Sequence, residues 1–228
     1  MKEHLNIAIP MSLQFSILSF SIMIIQAVCN SFGEKIIVGF TIALRIEQLA
    51  TQPLLAIGIA VATYVAQIYG AGRISRIREG VKNSIITSFI ISLVMSASVF
   101  IFGKNLIGTF LENPDPFIIN VGTSYLSISI MFYFFLGSIF IFRNALQSMG
   151  KAIYPLISGV VELIIRSFAA IILASHIGYT GIYYAGPLAW LGGAMVVIFG
   201  YYKYVYKRSE KDIKQEYRMI YQKMKTER

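Results

Sequence analysis

The chain has 228 residues, of which 56% are hydrophobic and only 14% are charged, and its formal net charge is +9. About a quarter of the residues of an ordinary soluble domain are charged, so this composition excludes a water-soluble globule. The basic residues cluster beside apolar segments, which is typical of membrane orientation and argues against nucleic-acid binding. The single cysteine, Cys29, excludes a disulfide within the chain.

Apolar runs separated by turn residues predict six membrane-spanning helices, because a helix needs about 20 apolar residues to cross a bilayer. In chain order the predicted helices cover residues 5–31, 36–69, 81–103, 117–147, 153–175 and 181–205. Pro10 and Pro53 are candidate bends in the first two. The predicted fold class is therefore an all-α membrane protein, a six-transmembrane-helix bundle over residues 1–205 with a basic cytoplasmic tail over residues 206–228.

The distribution of Lys and Arg predicts the orientation of the bundle. Sixteen of the 20 basic residues, Arg143 and Lys151 among them, fall on one side, whereas only Lys35 and Lys104 fall on the other. Because cytoplasmic loops are enriched in Lys and Arg, both termini are expected in the cytoplasm of a bacterial cell, with the helices in its plasma membrane. The tail is expected either to lie along the anionic inner leaflet or to extend the sixth helix into solvent.

Polar residues within the predicted spans are the candidate functional residues, since an ionisable group there normally faces the bundle interior, a partner or a water-filled cavity. Arg45, Gln48 and Gln52 share one face of the second helix, which indicates either a cavity lining or hydrogen bonds to another helix. Glu47 points away from that face and is expected to contact a neighbouring helix, with Arg166 as a candidate partner. Gln14 on the first helix is a further cavity candidate.

Glu162 and Arg166 are four residues apart on the fifth predicted helix, and Ser158 lies one turn earlier. This spacing predicts an ion pair within the helix. Two roles are open for the pair: a clamp that holds the bundle together, or a direct part in ion coupling.

Sequence motifs for enzyme chemistry are missing. The sequence has no glycine loop for phosphates, no His-Glu-x-x-His zinc helix and no Gly-x-Ser-x-Gly elbow. We therefore expect neither an enzyme nor a bound metal or organic cofactor.

Six tracts resemble the multidrug and toxic compound extrusion (MATE) family of secondary transporters. They are NSFG at 30–33, IALRIEQLATQP at 42–53, AQIYGAGR at 66–73, RNALQSMG at 143–150, ELIIR at 162–166 and GPLAW at 186–190. Their order and spacing resemble the carboxy-terminal half of such a transporter. The resemblance implies one lobe of a two-lobe (6+6) transporter, whose second lobe would be another copy, a separate chain or a region upstream.

The resemblance also implies a function: efflux of amphipathic or cationic organic compounds by alternating access, coupled to H⁺ or Na⁺. The implied substrate and cation cavity is lined by Gln14, Arg45, Glu47, Gln48, Gln52, Glu162 and Arg166. One branch of the family has a cation-binding carboxylate on the first helix of this lobe, where this sequence has Gln14, Phe15 and Ser16. Two alternatives are open: a lipid-linked saccharide flippase of the same superfamily, and a membrane subunit or remnant that does not transport.

Overall fold

A computed structural model of the protein describes residues 2–206 and, beyond them, Gln215 and Met219; for residues 2–7 it describes the backbone alone. The basic tail predicted over residues 206–228 therefore lies almost entirely outside the described residues. Within the described part the regular structure is helical, with seven α-helices: α1 Lys2–Asn30, α2 Glu34–Gly70, α3 Ile74–Thr109, α4 Pro116–Ser129, α5 Tyr133–Ser148, α6 Ile153–Ile177 and α7 Ile182–Tyr201.

Five continuous stretches of the described residues are long and apolar enough to cross a membrane. The last of them, Ile153–Tyr206, has 54 residues, which as one straight helix would measure about 80 Å. It reverses at the 3₁₀ turn Gly178–Gly181, where Gly178 has a φ of 67° that favours glycine. Because α6 and α7 fold back on each other, residues 2–206 make six passes, and the predicted six-helix bundle is confirmed.

Contacts between connecting segments place the passes alternately up and down. At one end Tyr69, in the last turn of α2, lies 3.2 Å from Tyr204, just after α7, measured between the two hydroxyl oxygens. At the other end Lys35, at the start of α2, forms a 2.7 Å ion pair with Asp115, just before α4. That the first of these ends is the cytoplasmic one stays a prediction.

The fourth predicted helix, 117–147, is interrupted in the structure, although the sequence stays apolar across the break and contains no proline or glycine there. A 3₁₀ turn at Ile130–Phe132 separates α4 from α5. The hydroxyl of Ser96 on α3 donates a 2.9 Å hydrogen bond to the carbonyl oxygen of Ile130. This bond satisfies a backbone carbonyl at the break. Because its donor lies on another helix, the break could not be predicted from the residues around Ile130.

The helices are not packed uniformly. Helix α2 packs against α3, α4 and α5, and α7 packs against α5 and α6, so these elements form the centre of the bundle. Helix α1 packs mainly against α6 and touches α2 only slightly. The space between α1 and α2 is therefore open along one side of the bundle.

Candidate functional site

A buried polar cluster surrounds Glu162 and connects three helices. Glu162 of α6, which is 3% exposed, forms an ion pair with Arg143 of α5. The Ser158 hydroxyl lies 3.0 Å from Glu162 Oε1 and 3.1 Å from the carbonyl oxygen of Gly193 on α7, and it can donate to either of them. The cluster thereby ties α5, α6 and α7 together.

Gln14 brings α1 into the same cluster. Its side-chain amide lies 3.0 Å from the amide nitrogen of Gln147 and, on the opposite side, 3.3 Å from Nη1 and Nε of Arg143. Because a guanidinium can only donate, the Gln14 oxygen is placed to accept from Arg143, and the Gln14 nitrogen then donates to Gln147 when the Gln147 amide is also turned so that its oxygen faces Gln14. Gln14, which is 1% exposed, is thus a buried bridge between helices.

The predicted ion pair between Glu162 and Arg166 was wrong, because the Glu162 carboxylate pairs with Arg143 instead. Arg143 is 7% exposed and lies inside the bundle. Spacing along α6 allowed Glu162 to meet Arg166, but α5 presents Arg143 to the same carboxylate together with further hydrogen-bond partners. A buried charge is stabilised most where both an opposite charge and hydrogen bonds are available.

A second group of polar residues lines a cavity of about 220 Å³ that is bounded by α1, α2, α4, α6 and α7. The polar and aromatic members of the lining are Gln26, Glu47, Gln48, Tyr125, Arg166 and Trp190. Isoleucine, leucine and phenylalanine side chains complete the wall. The cavity combines an amphipathic lining with one carboxylate and one guanidinium.

Glu47 is 8% exposed, and its Oε2 accepts a 2.9 Å hydrogen bond from the hydroxyl of Tyr125 on α4. The expected contact with a neighbouring helix is therefore confirmed, with Tyr125 as the hydrogen-bond partner. Arg166 attracts the Glu47 carboxylate electrostatically but forms no direct ion pair with it in the described part of the chain. Arg166 lines the cavity, and its buried Nε has no hydrogen-bond partner among the described residues. This N–H group is therefore an unused donor.

Arg45, Gln48 and Gln52 form an exposed row on α2. Gln48 also belongs to the cavity lining, which makes the row continuous with the cavity. Within residues 2–206 none of the three side chains hydrogen-bonds to another helix. The row therefore faces outward from this bundle, on the side where α1 and α2 separate.

Sequence reasoning missed the partners of both carboxylates, Arg143 and Tyr125. Arg143 lies within the span predicted over residues 117–147, so its position inside a predicted helix was a usable sign that it could pair with a neighbouring helix. Tyr125 lies among many aromatic residues, and nothing in the local pattern distinguishes it from an aromatic at the lipid interface. Only the packing of α4 against α2 shows that its hydroxyl meets Glu47.

Six antiparallel helical passes with a polar cavity on one side define a multi-pass, all-α membrane protein. The MatE family model matches residues 10–172, and the chain belongs to that family of transporters.

Curated relatives carry names that refer to multidrug resistance. The chain is 27% identical over 201 residues to "Probable multidrug resistance protein YpnP" of Bacillus subtilis, covering 88% of this chain and 44% of that protein. It is 23% identical over 201 residues to "Probable multidrug resistance protein NorM" of Thermotoga maritima, covering 87% and 41%. The chain thus spans less than half the length of these relatives.

Solved structures share the fold. The MATE transporter VcmN of Vibrio cholerae superimposes with a TM-score of 0.83 at 17% identity, over 90% of this chain and 47% of that one. A Pyrococcus furiosus transporter of the MOP superfamily, described as having a binding pocket of reverse polarity, gives a TM-score of 0.81 at 15% identity, over 92% and 46%. In both cases this chain corresponds to about one half of the solved transporter.

Proposed function

We propose that this chain is one lobe of an exporter that moves amphipathic or cationic organic compounds out of a bacterial cell, driven by a gradient of H⁺ or Na⁺. A second six-helix lobe would face the exposed row on α2, and alternating access would arise from movement of the two lobes about the substrate. The bundle would lie in the plasma membrane with both termini in the cytoplasm. The names of the relatives as multidrug proteins support this proposal.

The observation that carries the proposal is the environment of Glu47. Its carboxylate is buried against a cavity, accepts a hydrogen bond from Tyr125 and has no cation at ion-pair distance among the described residues. A carboxylate of this kind can take up and release a proton or Na⁺ when water reaches the cavity, and ionisable groups within membranes are typical of such pathways. Glu162 is already paired with Arg143. We therefore assign Glu162 to a clamp that holds the helices together and Glu47 to ion coupling.

The cavity chemistry favours an exporter of organic compounds over a saccharide flippase. Trp190 and Tyr125 offer aromatic rings to a flat or cationic ligand, and the carboxylate of Glu47 offers a negative charge. Among the described residues of the lining, Arg166 is the only cation. A lipid-linked saccharide carries diphosphate and would be better served by a cavity in which cations predominate.

The test is ethidium efflux from pump-deficient cells that express these 228 residues. We expect efflux that an uncoupler or a sodium ionophore abolishes, and loss of efflux in Glu47→Gln at an unchanged level of inserted protein. The matched control is Glu34→Gln, which neutralises an exposed carboxylate at the start of the same helix and should transport normally.

Two outcomes would change the proposal. An absence of efflux from well-inserted protein would rule out export by copies of this chain alone, so that the second lobe would have to differ from this chain or the chain would be a non-transporting subunit. Normal efflux in Glu47→Gln would remove this carboxylate from ion coupling.

A further inference from the structure

A groove of about 290 Å³ lies between α3, α5 and α7 at the end of the bundle where α3 begins. The apolar end of the groove is lined by Val81, Ile85, Phe142 and Ile198. The polar end carries two cations and three tyrosines: Arg78, Lys82, Tyr201, Tyr202 and Tyr206. It shares no lining residue with the cavity at Glu47, so it is a separate site.

The polar end of the groove has unused capacity to bind an anion. Arg78 donates from Nε at 3.2 Å and from Nη2 at 2.6 Å to the carbonyl oxygen of Val205, and its guanidinium lies 5.0 Å from the centre of the Tyr206 ring. This arrangement fixes the guanidinium and leaves both Nη1 donors without a partner among the described residues. Lys82 is exposed, and its ammonium has no partner among the described residues.

Tyr201 supplies an independent observation. The side chain lines the groove and is 4% exposed, yet its buried hydroxyl has no hydrogen-bond partner in the described part of the chain. The same phenol lies close enough to Arg78 to interact with it electrostatically. Because buried polar atoms are normally hydrogen-bonded, an unpaired hydroxyl in the lining of a groove that also carries Arg78 and Lys82 indicates a ligand that accepts hydrogen bonds there.

The apolar end of the groove continues onto the outer surface of the bundle. Exposed apolar side chains follow α3 away from Lys82, at Phe89, Ile90 and Leu93, and on α7 the exposed Met195 lies one turn before Ile198 of the groove lining. A soluble anion would gain nothing from this surface, whereas a hydrocarbon chain would cover it. Cations at one end and an apolar track at the other match a lipid, and basic pockets at the membrane surface are known to take anionic headgroups.

We propose that this groove binds an anionic glycerophospholipid. The phosphate is held by Arg78, Lys82 and the hydroxyl of Tyr201, and an acyl chain lies along α3 and α7. The bound lipid thereby joins α3 to the end of α7, where Arg78 already contacts the backbone of Val205.

The test is native mass spectrometry of the full chain in detergent, titrated with dioleoylphosphatidylglycerol or with dioleoylphosphatidylcholine, which has the same acyl chains. We expect the first molecule of the anionic lipid to bind at least fivefold more tightly, and Lys82→Gln to weaken it about fivefold, since one cation near an anionic membrane surface contributes about that factor. The matched control is Lys104→Gln, which removes an exposed charge from the other end of α3 and should leave lipid binding unchanged.

A second variant and a competitor distinguish a bound lipid from a bound phosphate alone. Tyr201→Phe keeps the ring and its packing and should also weaken the binding of the anionic lipid. Glycerol 3-phosphate should not displace the bound lipid. Equal binding of the two lipids, equal effects of Lys82→Gln and Lys104→Gln, or displacement by glycerol 3-phosphate would each overturn the proposal. Unfolding temperatures measured without added lipid verify that Lys82→Gln and Tyr201→Phe are folded.

Discussion

Arg143 on α5 and Glu162 on α6 form an ion pair in the interior of the bundle, and both side chains are more than nine-tenths buried. The pair is not isolated, because Ser158 and Gln14 lie within hydrogen-bond distance of its members. Four helices meet at this point. The arrangement is that of a clamp whose two charges depend on each other.

The first prediction concerns the interdependence of these charges. Glu162→Gln or Arg143→Met alone should lower the free energy of unfolding by roughly 3–5 kcal/mol, because each leaves an unpaired charge in the bundle. The double variant with Arg143→Met and Glu162→Gln should lose less than the sum, since no buried charge remains. The measurement is denaturant unfolding of the purified chain in detergent.

Arg45→Gln is the control for the clamp variants. It removes an exposed charge and should change the free energy of unfolding by no more than about 0.5 kcal/mol. If the single clamp variants were as stable as this control, or if the losses were additive, the two charges would not form an interdependent pair.

The passes of the bundle could be predicted from the sequence, but the partners of its buried charges could not. Membrane thickness requires long apolar runs, so the six passes could be predicted from the apolar runs of the sequence. The start of α3 was predicted at residue 81, whereas the helix begins at Ile74. Glu162 could have met Arg166 four residues later on the same face. Which of two cations reaches a carboxylate is decided by the packing of α5 against α6, and no local period encodes that.

The candidate site was predicted in the same partial way. Its helix, α2, and several of its polar residues were identified because ionisable groups are rare in membrane spans. The sequence did not predict that these residues divide into two groups, a clamp with Gln14 and Glu162 and a cavity with Glu47 and Arg166. That division depends on α1 packing against α6 and separating from α2, a tertiary choice among helices that all have apolar faces.

The second prediction concerns the close approach of α7 to Glu162. A methyl group on Gly193 would lie 2.5–2.8 Å from the carboxyl atoms Oε1 and Cδ and from Cγ of Glu162, which are held in place by Arg143. Gly193→Ala should therefore destabilise the protein by about 1–3 kcal/mol through overpacking. In Gly108→Ala the new methyl group meets its nearest atom at 3.9 Å, so that variant should be neutral or slightly stabilising.

Thermal unfolding in detergent compares the two glycine variants. Equal unfolding temperatures would mean that α6 and α7 separate easily at this level. In that case Gly193 would not be required for the clamp.

The third prediction separates a hydroxyl with a partner from one without. Tyr125→Phe removes the donor to Glu47 and should cost about 1.5–3 kcal/mol, the range for hydrogen bonds to charged groups. Tyr183→Phe is a matched control, because that hydroxyl is buried without a partner in the described residues and its removal should be neutral or stabilising. The measurement is denaturant unfolding in detergent, and a similar loss in both variants would argue against a bond to an ionised Glu47.

The fourth prediction concerns pH and the connection between α3 and α4. Asp115 caps α4, since its Oδ1 accepts a 2.8 Å hydrogen bond from the backbone N–H of Phe117, while its Oδ2 pairs with Lys35. The hydrogen bond from Lys35, followed by that from the backbone, holds the pKa of the Asp115 carboxyl below its ordinary value. The folded state therefore binds this proton less readily than the unfolded chain does.

A lowered pKa means that Asp115 contributes stability above its unfolded value of about 3.9, and that this contribution is lost as the pH falls through the lower value in the folded protein. Between about pH 5 and pH 3 the unfolding temperature of the wild type should therefore fall more than that of Asp115→Asn, whose amide still caps the helix but does not ionise. The effect should be small and should shrink in high salt, because the ion pair with Lys35 is at the surface. Parallel curves for the two proteins over this range would contradict the prediction and would mean that the helix cap, and not the charge, is what Asp115 provides.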